Sequence, residues 1–460
     1  MRKIYLILSL LVALTSCNDD FVDVLPKGKT IPTTTDDLAE MLNHTSDINW
    51  GFRNFMAQCD DYYLPESQIS QISSDYLNAY QWKDFQYTVE QEDHDWNAGY
   101  TTISRVNFVI NNIDDFTKGD RYNVDNTKGR ALFARAQAYF YLVNGYGKHY
   151  NVATASDDLG VPLLLESDIN LKLPRSSVQV VYDQVIKDLT DAIDLLPETG
   201  ETRWHASKAA VYALLGRVYL YQEKYEESAQ YSKMSIDMYS EIQDYNNIVL
   251  NIPGRAEHGI KEGCIIESDY NPENLYNMVD HYDNQTLFLD FRLGSSMGPD
   301  DLRKRYFTSK FLVNGYFVGG LDVIYNGIKQ TFSGIKTTEV VLNYCEALMK
   351  QKTPDFTNAL AQLNRLKSMR YDETVFVDFN STDQAVVINE IYLERRKELR
   401  QTQHRWFDMK RLGLTVYKQF LGKTYSISKG SPNYQWAIPL NVMHLNDKLV
   451  QNERGLEVSQ

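Results

Sequence analysis

The feature that most constrains the fold is a helix–turn–helix pattern between residues 205 and 239. Small and aromatic side chains recur there at helical spacing, at Tyr212, Leu215, Gly216, Tyr219, Tyr225, Ser228 and Ser235. This spacing is typical of a tetratricopeptide-like helical hairpin, in which the small residues lie where two helices cross. A single hairpin buries its apolar face only against a neighbour, so we expect the chain to contain several.

The rest of the chain divides into helical stretches and two long insertions. The predicted helical hairpins lie at about 93–147, 176–239, 339–369 and 384–413. They belong to a single, mostly α domain over residues 36–460. Aromatic-polar insertions without a sustained period interrupt it at about 46–87 and 250–335. Long insertions in compact proteins are usually functional, so we expect the ligand site in these two segments.

The composition of the chain argues against several classes of binding partner. The chain carries 61 acidic and 47 basic side chains, a formal net charge of −14, so nucleic acid and anionic membrane surfaces are poor partners. Its four cysteines form no Cys-x-x-Cys pair, and at most one disulfide can form among Cys59, Cys264 and Cys345. Its eight histidines form no His-x-x-x-His pair, so we predict neither a metal site nor a cofactor.

The N-terminus has the pattern of a secretory signal. Arg2 and Lys3 precede an apolar run that ends in Leu-Thr-Ser-Cys at residues 14–17, and the run is too short to span a bilayer. Cys17 lies where a bacterial lipobox places the lipidated cysteine. We therefore predict a signal peptide over 1–16 and a lipid-anchored tether over 17–35. The alternative is an ordinary signal peptide in which this cysteine occurs by chance.

A charged cluster near the C-terminus predicts a structural ion-pair hub. Glu390, Glu394 and Glu398 follow one another at four-residue spacing, which is repulsive unless cations lie between them. The expected partners are Arg395, Arg396, Arg405 and Arg411. We expect these glutamates to fix the last helices to the rest of the fold and to have no catalytic role.

The same region carries a family resemblance. The sequences IYLERRKEL at 391–399 and HRWFDMKR at 404–411 closely resemble the signature of the SusD/RagB family of surface lipoproteins. Further positions resemble the family pattern in the same order along the chain. They are Trp96, Tyr100, Asn107, 130–139, 146–147, 161–162, 174–177, 188–189, 207–210, 437–439, 451–452 and Gly455. The resemblance covers nearly the whole mature chain. Leu456 departs from it, because an aromatic residue often follows the glycine, and the 250–335 insertion is compact.

The resemblance implies a fold and a role. The fold would be tetratricopeptide-like hairpins packed against an irregular, loop-rich ligand-binding half. The protein would capture oligosaccharides at the cell surface and deliver them to a SusC-like TonB-dependent transporter of the outer membrane. Asn18-Asp19-Asp20 resembles the acidic tract that sends such lipoproteins to the surface. Relatives of the RagB type bind oligopeptides instead, and this alternative stays open.

Candidate binding residues follow from what a sugar requires. Its rings offer apolar C–H faces and polar rims, so a site needs aromatic platforms with polar groups at their edges. We prefer loop aromatics, because nothing periodic buries them, and expect Trp96, Tyr139 and Tyr219 in the core. The candidates from the first insertion are Trp82, Tyr80, Tyr76, Asn78 and Asp61. Those from the second are Tyr276, Asn277, Tyr282, Phe291 and Arg292.

Two local motifs raise catalysis as a rival function. Residues 294–298 match the Gly-x-Ser-x-Gly pattern of a nucleophile elbow, which needs a preceding strand, a following helix and a parallel sheet. The chain shows no strand–helix alternation that would build such a sheet. Gly422-Lys423-Thr424 resembles the end of a phosphate loop, but Tyr417 occupies the position of its first glycine. We therefore expect a binding protein and not an enzyme.

Overall fold

The computed structural model describes most of the chain. The described residues are 32–51, 54–85, 87–116, 123–168, 170–253, 261, 271–281, 288–313, 316–322, 330–400 and 402–455. Cys17, Cys264, Tyr282 and Leu456 lie outside them, as do the predicted signal peptide and most of the tether.

The described chain is mostly helical, which confirms the expected fold class. The helices are α1 (Thr35–Leu42), α2 (Thr45–Ile48), α3 (Asn54–Gln58), α4 (Ser74–Tyr80), α5 (His94–Asn112), α6 (Val124–Tyr146), α7 (Val178–Ile193), α8 (Lys208–Tyr221), α9 (Tyr225–Met238), α10 (Phe291–Ser296), α11 (Leu302–Phe307), α12 (Thr337–Lys350), α13 (Phe356–Ser368), α14 (Gln384–Glu398), α15 (His404–Arg411) and α16 (Leu440–Leu445).

The strands are short and pair two by two. They are β1 (Tyr62–Tyr63), β2 (Asn274–Tyr276), β3 (Val279–His281), β4 (Phe288–Leu289), β5 (Thr308–Val313), β6 (Tyr316–Asp322), β7 (Gln330–Phe332), β8 (Ile335–Lys336), β9 (Val416–Phe420) and β10 (Lys423–Ile427). The pairs β1–β4, β2–β8, β3–β7, β5–β6 and β9–β10 are all antiparallel. Both insertions therefore contain short regular elements where the sequence showed no period.

The hairpin in residues 205–239 forms from α8 and α9. Ser207 caps α8 by accepting a hydrogen bond from Ala210 N at 3.2 Å. A methyl group on Gly216 would overlap Ser232 Oγ and lie 3.1 Å from Ser232 N, so only glycine permits this crossing. Ser228 Oγ donates to the Gly216 carbonyl at 2.8 Å. The small residues thus lie where the helices cross, as their spacing indicates.

The hairpins join into one stack. Helix α6 is buried on all sides from Gly129 to Tyr146 and packs against both α5 and α7. The stack continues from α7 through α8, α9 and α12, and α12 contacts both α13 and α14. No helix of the described residues combines the length and the apolar character needed to cross a bilayer.

The C-terminal charged cluster is a buried hub, but its pairing differs from the prediction. Glu394 binds Arg303 at 2.7 Å and Glu398 binds Arg370 at 2.8 Å, while Glu390 binds Lys367. None of these cations is an arginine of the predicted set.

The predicted arginines serve other carboxylates. Arg395 binds Asp408 at 2.7 Å and Arg411 binds Glu346 at 2.7 Å. Arg396 and Arg405 bind an aspartate pair in the first insertion. The expected partners are wrong because the arginines of α14 and α15 bind carboxylates on other elements packed around these helices. The hub consequently ties α14 and α15 to both insertions.

Candidate functional site

Three segments distant in sequence meet at one surface. Strand β1 of the first insertion pairs with β4 of the second, with Tyr62 opposite Leu289 and Tyr63 opposite Phe288. Immediately after β4, Asp290 N donates to the Asp61 carbonyl at 2.6 Å. The β9–β10 hairpin joins them through a hydrogen bond from the Arg292 guanidinium to the Tyr417 carbonyl at 3.2 Å. Both insertions therefore contribute to the same surface.

This surface presents two exposed aromatic rings beside a guanidinium. Phe291 is 74% exposed and Tyr417 is 52% exposed, and the Arg292 side chain is 41% exposed. Tyr417 faces outward because β9 alternates buried and exposed residues from Val416 to Phe420. We name the group of Phe291, Arg292 and Tyr417 the aromatic shelf.

Asp290 holds the shelf arginine in place. Its carboxylate accepts from Arg292 Nε at 2.7 Å and from Arg292 Nη2 at 3.1 Å, a bidentate pair. The same carboxylate caps α10 by accepting from Arg292 N at 2.9 Å. The hydrogen bond to Asp290 raises the pKa of Arg292 above its ordinary value. A fixed cation is therefore present at the edge of the shelf, with part of its surface open to solvent.

A buried lysine lies beneath the shelf, between two aromatic rings. Lys418 Nζ lies 4.3 Å from the centre of the Tyr80 ring and 4.7 Å from that of Trp82, within the range of cation–π contacts. It donates to the Ala57 carbonyl at 2.5 Å. Burial of the ammonium lowers the pKa of Lys418 to about 7. Aromatic residues of the first insertion thus support the hairpin that carries Tyr417.

An aspartate pair connects this layer to the hub. Asp61 binds Arg396 at 2.5 Å, and Asp60 binds Arg405 through Nε at 2.6 Å and Nη2 at 2.8 Å. Burial alone would raise the pKa of Asp60, but the charge and hydrogen bonds of Arg405, with the charge of Arg396, lower it to about 2. Asp61 is therefore engaged in an internal ion pair, which leaves it poorly placed for contact with a ligand.

The candidates from the first insertion are less exposed than the sequence suggests. Trp82 is 4% exposed, and its indole N–H donates to the Gln58 carbonyl at 2.7 Å. Tyr80 is buried, and its hydroxyl accepts from Leu64 N at 3.1 Å. These aromatics are preferred because nothing periodic buries them, but Tyr80 and Trp82 are nevertheless buried, since Lys418 and Phe420 of the β9–β10 hairpin pack against them. Tyr76 and Asn78 on α4 are half-buried.

Two candidates from the second insertion lie away from the shelf, in the core. Tyr276 is 3% exposed and packs edge-on against Phe133 of α6 at 4.8 Å. Asn277 is fully buried, with its carbonyl accepting from Asn49 Nδ2 at 2.9 Å. Of the candidates inside the described residues, Phe291 and Arg292 are thus the best placed for a ligand, with Tyr80, Trp82 and Asp61 in the layer beneath.

Tyr417 is the shelf residue that the sequence analysis missed. The signal was the strand alternation of residues 416–420 before the tight turn at Leu421 and Gly422, both of which have positive φ. The segment that resembled a phosphate loop, Gly422-Lys423-Thr424, is this turn and the start of β10. It belongs to a hairpin and not to a strand–loop–helix unit.

Residues 294–298, which match the nucleophile-elbow pattern, also form a structure different from the strand–turn–helix unit that an elbow requires. Ser296 is the last residue of α10, and its hydroxyl donates to the Leu293 carbonyl at 2.7 Å. The preceding strand, β4, has two residues and pairs antiparallel to β1. An elbow needs the serine between a strand and a helix. Within the described ranges there is also no cluster of three His, Cys, Asp or Glu side chains that would hold a metal ion.

The fold is a stack of helical hairpins whose long insertions build a surface with exposed aromatic side chains. Two protein-family models match this chain. The model described as "Starch-binding associating with outer membrane" matches residues 20–220, and the model described as "SusD family" matches residues 276–454. The chain belongs to the SusD/RagB family.

Relatives with similar sequences carry the same family name. A SusD-like protein of Bacteroides ovatus is 26% identical over 239 residues, which cover 47% of this chain and 39% of that protein. SusD-like protein P2 of Formosa agariphila is 30% identical over 142 residues, which cover 31% of this chain and 26% of that protein. The matched region therefore spans well under half the length of each relative.

Solved structures match over nearly the whole chain. A SusD superfamily protein from Bacteroides thetaiotaomicron has a TM-score of 0.71 at 21% identity, covering 92% of this chain and 100% of that one. A SusD-like carbohydrate binding protein from Bacteroides vulgatus has a TM-score of 0.68 at 18% identity, covering 92% and 99%. At these identities the likeness shows the shared fold.

Proposed function

We propose that this protein is a cell-surface lipoprotein that captures oligosaccharides through the aromatic shelf. The observation that carries the proposal is the exposure of Phe291 and Tyr417 on the surface where the Arg292 guanidinium binds the Tyr417 carbonyl. Phe291, 74% exposed, and Tyr417, 52% exposed, belong to one surface, and grouped exposed apolar side chains mark binding sites, whereas single ones do not. Flat rings match the C–H faces of a pyranose, and the guanidinium donates to its hydroxyl groups.

The shelf favours a glycan over an oligopeptide. Peptide capture requires a groove or a sheet edge with backbone groups that pair with the ligand. The shelf instead offers side-chain faces, and the backbone carbonyl of Tyr417 is already bound by Arg292. The family description names starch binding, and a structural neighbour is named carbohydrate binding. The function proposed is binding without bond chemistry.

The anchor and the partner complete the proposal. Lipidation at Cys17 would hold the protein on the outer membrane, facing the exterior. The tether over residues 17–35 would then keep the shelf near a SusC-like TonB-dependent transporter that accepts the captured oligosaccharide. The family description, which includes association with the outer membrane, supports this placement.

The test is electrophoresis in native gels that contain one polysaccharide each, across a broad panel. Residues 18–460, which include all described residues, should be retarded by at least one polysaccharide. Phe291→Ala should weaken that retardation, because it removes a stacking face and leaves the core intact. Val377→Ala is the matched control, since Val377 is also highly exposed. Trp82→Ala is a poorer probe, because this ring is buried under Lys418.

Two outcomes would contradict the shelf as a glycan-binding site. One is the absence of retardation across the panel together with tight binding of oligopeptides, which would establish the peptide alternative. The other is an equal effect of Phe291→Ala and Val377→Ala on retardation, which would show that the shelf does not bind the polysaccharide. Release of reducing sugar by the pure protein would show an enzyme.

A further inference from the structure

A small cavity lies next to the shelf layer, on the side of Trp82 toward β10 and the chain end. Its volume is about 260 Å³. The lining residues are Gln81, Trp82, Tyr425, Ser426, Ile427, Ser428, Ser431, Pro432, Asn433 and Gly455. The cavity is therefore built from three segments: the end of the first insertion, the β10 region and the C-terminal tail.

The lining is polar and uncharged. It combines serine hydroxyls and side-chain amides with the aromatic side chains of Trp82 and Tyr425, and it includes no Asp, Glu, Lys, Arg or His. Ser426 and Ser428 line the cavity and are exposed to solvent, so their hydroxyls can reach a ligand. Uncharged lining residues cannot offset the free-energy cost of removing a charged ligand from water. The cavity thus suits a neutral ligand with several hydroxyl groups.

Gln81 has an unused hydrogen-bonding atom at this cavity. The residue is 8% exposed, and its Nε2 donates to the Tyr425 hydroxyl at 3.2 Å. Its Oε1 is buried and has no partner among the described residues. A buried carbonyl left unpaired is unfavourable, and a ligand hydroxyl placed against Gln81 would supply the missing donor.

The backbone of the cavity wall is strained at Trp82. Its φ is +54°, a left-handed conformation that is rare for a bulky side chain. The contacts that hold it include the indole bond to Gln58 and a hydrogen bond from Asn433 Nδ2 to the Trp82 carbonyl at 2.9 Å. Strain of this kind persists where the surroundings fix it and is concentrated at binding sites.

We propose that this cavity binds one neutral sugar unit, such as the end or a branch of the glycan held on the shelf. The inference rests on the proposed function, since it assigns a second subsite to the same ligand class. The cavity lies below the range of about 300–1,000 Å³ that is usual for larger ligands, so a single ring fits and an oligomer does not. The aromatic walls supply faces for the ring, and the serines and Gln81 supply partners for its hydroxyls.

The test uses six methyl glycosides, of D-glucose, D-galactose, D-mannose, D-xylose, L-fucose and L-rhamnose, in saturation-transfer NMR with residues 18–460. At least one should bind the unchanged protein. Ser428→Phe should lower its affinity about tenfold or more, because the ring fills the space that the sugar needs. Gln81→Leu should also weaken binding, as a second variant independent of the first. Gln419→Phe, exposed on β9 of the same hairpin, is the matched control and should bind normally.

Failure of this inference is distinct from failure of the proposed function. No binding by any glycoside, or equal binding by Ser428→Phe and Gln419→Phe, overturns the cavity assignment. Retardation in polysaccharide gels depends on Phe291 and is read separately. A protein that is retarded, yet binds no glycoside in the cavity, would keep the proposed function and lose this subsite.

Discussion

The most specific prediction concerns Lys418, because burial of its ammonium makes the stability of the folded protein depend on pH. The pKa of this lysine is about 7 in the folded protein, against roughly 10.4 in an unfolded chain. Between these values the unfolded chain binds one more proton than the folded protein at this site, so stability rises with pH. The contribution is about 1.4 kcal/mol per pH unit, or about 2 kcal/mol between pH 7.5 and 9.0.

Lys418→Met removes the titrating group and keeps a long apolar side chain in its place. Urea unfolding followed by tryptophan fluorescence at pH 7.5, 8.0, 8.5 and 9.0 measures the effect. The dependence of the free energy of unfolding on pH should be less positive in the variant by about 1.4 kcal/mol per pH unit. Lys410, whose pKa burial also lowers to about 7, is present in both proteins, so its contribution cancels.

Gln419→Met is the control for this experiment, because it introduces the same side chain on β9 without removing a titratable group. Its pH dependence should equal that of the unchanged protein. Equal pH dependence in Lys418→Met and the unchanged protein would refute the reasoning, since it would mean that Lys418 stays charged in the fold.

Two further predictions concern the framework. Glu394→Gln should cost about 3–5 kcal/mol in urea unfolding, because it leaves Arg303 buried with one carboxylate fewer. Glu390→Gln, at a pair whose carboxylate is less deeply buried, should cost less, about 1–2 kcal/mol. Equal costs would contradict a buried hub. Gly216→Ala should cost about 1–3 kcal/mol by overpacking. Ser232→Ala should reduce that cost by removing the overlapping Oγ, and a cost unaffected by Ser232→Ala would place the strain elsewhere.

The local sequence pattern predicted the helical hairpin and the presence of the charged hub. The hairpin around Gly216 follows from a period within one stretch of 35 residues, so the sequence contains all the information needed. The presence of the hub also follows, because stacked glutamates require cations. Its partners do not, because Arg303 and Arg370 lie in segments with no period that would place them near α14. Long-range pairing of this kind is decided by packing.

The site was harder to predict for the same reason. Trp82 and Tyr80 occur in a stretch without helical period, yet Lys418, 338 residues from Tyr80 in sequence, covers them. Phe291 stays exposed on the short helix α10 after Asp290, and no sequence pattern distinguishes it from Tyr276, which is in the core. Strand alternation over residues 416–420 exposes Tyr417, so its exposure follows from local sequence.

The most direct test of the central claim is a crystal structure of residues 18–460 with an oligosaccharide prepared from a polysaccharide that retards the protein in gels. We predict pyranose rings stacked on Phe291 and Tyr417, with Arg292 donating to a ring hydroxyl and the bond from Arg292 to Asp290 retained. Sugar bound at a surface that contains neither Phe291 nor Tyr417 would contradict it.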